Sequence, residues 1–77
     1  MAYATKEERE LAESLGFERE TNVQFGDRFK KNERHVWFAT YAYVGWQTAD
    51  LIDGRFCNHQ KFRTLTEALN RPLRGEP

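Results

Sequence analysis

The stretch His35-Val36-Trp37-Phe38-Ala39-Thr40-Tyr41-Ala42-Tyr43-Val44 decides how the rest of the chain is read. It is dense in β-branched and aromatic residues, the types that fit a pleated, half-buried surface, and it predicts a strand. Side chains alternate across a strand, so Val36, Phe38, Thr40 and Ala42 form one face and Trp37, Ala39, Tyr41 and Tyr43 the other. The first face suits a core beneath helices. The second is apolar too, but its tips carry an indole N–H and two hydroxyls.

Downstream, Gly45 breaks or bulges the strand and Trp46–Ile52 forms the next one. Asp53-Gly54 is a pair that favours a tight primed hairpin turn, so Arg55–His59 returns as a short strand. Upstream, the charged run Arg28–His35 predicts a long loop or protruding hairpin, with Gly26-Asp27 opening a turn. In residues 17–25, Phe17, Val23 and Phe25 are apolar and positions 18, 20, 22 and 24 polar, the period-two pattern of a half-buried strand. Before it, Thr5 and Glu8 have capping-box spacing, Leu11, Ala12 and Leu15 share a helical face, and Gly16 suits a C-terminal cap. A helix over about 6–15 follows. Thr64 and Glu67 repeat the capping spacing ahead of Leu65, Ala68 and Leu69, with Thr66 an alternative cap. Pro72 stops this second helix near Asn70. The order predicts an α+β fold: a small two-layer domain with an N-terminal helix, a three- to four-stranded antiparallel sheet and a C-terminal helix.

A chain of 77 residues is one domain in length, with an ordered core over about 5–71 and a frayed tail over 72–77. Six Phe, three Tyr and two Trp supply the large side chains a core this small needs. No secretory signal, membrane span or lipidation motif is read, and the single Cys57 excludes an internal disulfide, so a cytoplasmic protein is expected. Formal net charge is zero but uneven: residues 1–27 carry three basic and seven acidic side chains, residues 28–77 nine and five. Halves of opposite sign can pair within a monomer or between two copies. Strong nucleic-acid binders carry an overall basic excess, and here there is at most a local patch.

Catalytic and metal-binding readings find little support. Cys57 and His59 share a strand face and His35 is the one other His, but no metal-ligand spacing accompanies them. A Cys57–His59 nucleophilic pair lacks an orienting group and an oxyanion site. Asp50 and Asp53 fall on opposite strand faces, and Asp53 is explained by its turn. The five glycines never approach a phosphate-cradle spacing. The expectation is a non-enzymatic protein without cofactor or metal.

Trp and Tyr tolerate a half-wet surface and are enriched in binding hot spots. Trp37, Tyr41 and Tyr43, with Trp46 beside them, are therefore the expected partner-binding residues, against the alternative that they simply pack. Arg28, Lys30, Lys31 and Arg34, with Arg55, Lys61 and Arg63 downstream, would rim or steer that contact. The partner is expected to be a protein, and self-association into a homodimer through the same face fits the charge asymmetry. The second reading is single-stranded nucleic acid, bases stacking on rings and phosphates meeting cations. In size and style the chain resembles small phage and mobile-element proteins that bind and block a host machine, anti-CRISPR proteins among them. The resemblance rests on no motif and transfers no residue. It implies an inhibitor-type interaction protein.

Overall fold

The strand β3, Arg34–Ala39, sits at the centre of an antiparallel sheet with strand order β1-β2-β3-β4-β5. This computed structural model describes residues 3–22 and 26–73. Chain order is α1 (Lys6–Ser14), β1 (Glu18–Asn22), β2 (Gly26–Lys31), β3, β4 (Gly45–Ile52), β5 (Arg55–Phe62) and α2 (Leu65–Leu69). Consecutive strands pair as a meander. The two helices lie on one face of the sheet, making a compact two-layer α+β domain of 30 × 28 × 20 Å.

Each helix forms where its caps specify. The Thr5 hydroxyl accepts the Glu8 amide at 3.2 Å and the Glu8 carboxylate accepts the Thr5 amide at 2.8 Å, closing the capping box. α1 ends in a Schellman arrangement: Phe17 N–H donates to Ala12 O and Gly16 N–H to Glu13 O, with Gly16 at φ 90°. Thr64 caps α2 by accepting the Glu67 amide. Ala12, Leu65, Ala68 and Leu69 from the helices meet Phe17, Phe29, Val36 and Trp46, with Phe38 and Phe62 at the margin.

The sheet has five strands, more than the three or four expected. The extra one is β2, within the stretch read as a charged loop. Phe29 is its one apolar side chain. Its inward Asp27 is fully buried because Ala4 N–H, Arg19 Nε and the Thr21 hydroxyl all donate to its carboxylate, at 2.8, 3.0 and 2.7 Å. Asn32 at φ 53° turns β2 into β3.

Two further expectations are corrected. β3 stops at Ala39, and residues 40–44 are a bent loop rather than strand. Tyr43 N–H donates to Tyr41 O at 2.6 Å across Ala42 at φ 62°, a γ-turn, a conformation that costs strain. β5 runs on to Phe62. Asp53 and Gly54 do form the primed turn, at φ 52° and 78°. That turn fixes the register Ile52↔Arg55 and Leu51↔Phe56, and a bulge near Asn58 shifts it farther along. Val23, Gln24 and Phe25 of the expected first strand, and tail residues 74–77, lie outside the described residues.

Beneath the helices, Arg34 Nε donates to Asp50 at 2.5 Å, with both side chains nearly inaccessible. The Arg34 guanidinium also donates to the carbonyls of Arg71 and Pro72 at 3.1 and 2.9 Å, tying the end of α2 to β3. Asn58 donates to the second Asp50 oxygen at 3.2 Å.

Candidate functional site

Among the described residues both helices lie on one side of the sheet, and strand register shows which side chains project from the other. One row crosses all five strands: Glu20–Arg28–Trp37–Gln47–Lys61. The next runs Glu18–Lys30–His35–Ala49. Leu51 and Phe56 pair at the β4–β5 end.

The centre of this face is aromatic. Phe56 meets His35 edge-on at 5.2 Å and Trp37 at 5.4 Å. Ala49 lies in the same row as His35 and is fully buried. Phe56 itself is 42% exposed, and Leu51 beside it is also exposed. Arg28 stands over the Trp37 ring at 5.7 Å.

A second group folds onto the same face from the 40–44 loop. The Tyr41 hydroxyl donates to Gln47 Oε1, and Tyr43 Oη donates to the Lys61 carbonyl at 3.1 Å. The Lys61 ammonium donates to the carbonyls of Tyr41 and Tyr43 and lies 4.1 and 4.4 Å from their ring centroids. Arg63 covers Tyr43 at 4.4 Å. One lysine thus clasps the strained γ-turn, while Tyr41 stays 59% exposed. Burial, then Arg63, lowers the Lys61 pKa from its ordinary value.

The expected residues are therefore divided. Trp37, Tyr41 and Tyr43 come together on the open face, with Arg28 and Lys30 beside them. Trp46 does not join them: it is 7% exposed, on the helix-covered face, where it packs on Phe38 and Phe29. Arg34 is buried against Asp50 and cannot act as a rim cation. Lys31 alternates to the helix side, where its stem runs alongside Gly16. The 26–35 segment is part of the sheet and does not cover the face. The residues not singled out from sequence are Phe56, Leu51 and Gln47. The Asp53-Gly54 turn carried the signal, because a two-residue loop places Phe56 opposite Leu51. Among the described residues, no group of His, Cys, Asp and Glu has the arrangement to hold a metal, and Cys57 Sγ lies 3.5 Å from the Asp50 carbonyl. No described helix is long and apolar enough to cross a membrane.

His35 makes this face sensitive to pH. Its Nε2 is buried with no hydrogen-bond partner among the described residues. Burial, followed by the charges of Arg28 and Lys30, lowers its pKa, and the opposing charges of Asp50 and Glu20 do not reverse the shift. The folded state therefore favours neutral imidazole. Its contribution to stability is present above the ordinary histidine value of about 6.5 and is lost as pH falls through the lower folded-state value. Melting temperatures measured from about pH 7.5 down to about 5.5 are expected to decline, and His35→Phe to flatten that slope.

No family model, curated protein or solved structure matches the chain.

Proposed function

We propose that this protein acts by binding, without catalysis, through the uncovered sheet face, and that its partner is another protein whose surface it occludes. The observation that carries this reading is the cluster of His35, Trp37 and Phe56 on the side of the sheet opposite both helices, continued by exposed Leu51 and by Tyr41. Rigid aromatics at the centre of a patch with charges at its edge are the usual anatomy of an interface hot spot. Arg28 and Lys30 on β2 and Lys61 on β5 would steer an acidic partner surface and fix its orientation. Strain held at Ala42, in the loop that presents Tyr41, accords with a segment kept for display rather than for stability. The resemblance in size to small blocking proteins of phages and mobile elements adds to an inhibitory role.

A nucleic-acid reading has one observation in its favour, the interleaving of cations and rings on one face. The same geometry counts against it. Trp37, Tyr41 and Tyr43 each already carry a cation at 4.1–5.7 Å, and a stacking base would compete for the ring. The readings separate experimentally. Tagged protein recovered from nuclease-treated lysate is expected to retain a near-stoichiometric protein. That complex should survive a rise from about 50 to about 200 mM salt, a change that weakens phosphate-dominated binding by orders of magnitude. Tyr41→Ala should reduce the recovery. Recovery of nuclease-sensitive material alone would replace the protein partner with nucleic acid.

A further inference from the structure

The charge asymmetry of the sequence becomes a spatial one on the open face. Glu18 and Glu20 project from edge strand β1, and Lys61 projects from edge strand β5, with the aromatic cluster between them. We infer that, in the free protein, the occupant of this face is a second copy of the chain, packed sheet to sheet about a two-fold axis running along the strands. This rests on the reading of the face as a binding surface and specifies what covers it when no other partner is present.

The axis follows from the row Glu20–Arg28–Trp37–Gln47–Lys61. A two-fold rotation along the strands keeps each row in place and reverses the strand order. Glu20 then faces Lys61 of the other copy, and Trp37 faces Trp37 across the axis. An axis across the strands would instead lay β1 on β1 and oppose like charges. Lys61 retains capacity for the contact: an ammonium has three N–H donors, and two go to the Tyr41 and Tyr43 carbonyls. Zero net charge removes long-range repulsion between copies. Five strands span roughly 19 Å and six residues about 20 Å, so each copy offers about 400 Å² and the pair about 800 Å². That is below the size of standard stable interfaces, so the dimer is weak and gives way to a tighter partner.

Sedimentation velocity at low salt tests it, from about 1 µM to about 1 mM, the range in which an interface this small dissociates. Wild type is expected to pass from monomer to dimer. Glu20→Lys and Lys61→Glu should each raise the dissociation constant more than tenfold by setting like charges opposite each other. The double variant should bind at least tenfold more tightly than Lys61→Glu alone. Both of those carry the same loss of the loop clasp, so the difference between them reports the pair. Within one copy the two residues sit on opposite edge strands about 19 Å apart, beyond direct contact, and coupling between them must cross the interface. Glu13→Lys on exposed α1 changes net charge equally and should leave the dimer intact. A wild type monomeric throughout, or a double variant no better than Lys61→Glu, overturns the dimer. Capture of a different protein is scored separately by the nuclease-treated recovery, so either idea can fail alone.

Discussion

Asp50→Ala is expected to lower the free energy of unfolding by about 3–5 kcal/mol, the loss typical of removing one partner from a buried ion pair. Arg34 would keep its charge, its burial and its two bonds to the Arg71 and Pro72 carbonyls, but lose the carboxylate 2.5 Å away. A 77-residue domain has about 4–12 kcal/mol of stability in all. The substitution therefore removes a large share of it, and the melting temperature should fall by roughly 15–30 °C. Arg34→Met with Asp50→Leu should recover part of the loss, since neither charge is then left unpaired. Recovery should be incomplete, because Arg71 and Pro72 still lose their donor. The same carboxylates predict acid sensitivity. Burial raises the pKa of both Asp50 and Asp27. For Asp50 the hydrogen bonds of Arg34 and Asn58 and the charges of Arg34 and Arg71 outweigh it; for Asp27 Ala4 N–H, Thr21 and Arg19 do. Both end below the ordinary value. Their contribution is complete above about pH 4, where the unfolded carboxyl is ionised, and is lost as pH falls through the folded-state values.

Gly45→Ala is the second change with a large expected effect. Gly45 sits where β4 begins, paired with Ala39, and a methyl there would overlap the Phe62 carbonyl oxygen. It would also stand 3.2 Å from the Phe62 carbonyl carbon and 3.3 Å from Tyr43 Cε2. The obstacle is backbone of the adjacent strand, which cannot swing aside as a side chain can. The β4–β5 pairing at Trp46↔Phe62 must open, at a cost near the upper end of the 1–3 kcal/mol usual for overpacking. Because Tyr43 rests on the same spot, amide and side-chain signals of residues 40–44 should shift together with those of Phe62. A neutral Gly45→Ala in both stability and spectra would mean that the 40–44 loop is not seated on β5 as described.

Much of the fold was legible where a local rule acts over a few residues. Thr5 and Glu8 specify one helix start, Thr64 the other, and Asp53-Gly54 a hairpin with its register. The β2 strand was not legible because periodicity is read from apolar residues. Within Gly26–Lys31 only Phe29 is apolar, while the inward Asp27 is satisfied by Ala4, 23 residues away. Arg34 reads as a surface cation for the same reason: its partners lie 16, 37 and 38 residues downstream. The candidate site was legible in half. Trp37 follows from alternation along β3. Tyr41 and Tyr43 reach the same face by a different route, a γ-turn and the Lys61 clasp, which no strand pattern encodes. Trp46 goes to the core because the Ala39↔Gly45 register sets it opposite Phe38, on the helix-covered face.

If the open face exists for recognition rather than for stability, Phe56→Asp should separate the two. Phe56 is 42% exposed and lies against His35 and Trp37, so its loss should change stability by only about 1 kcal/mol. Thermal unfolding and recovery of the partner from nuclease-treated lysate are measured on the same preparation. The expected result is a folded variant, melting within several degrees of wild type, that no longer retains the partner protein. A variant that keeps the partner at wild-type levels, or that loses it only because the domain has unfolded, would return the aromatic cluster to ordinary packing.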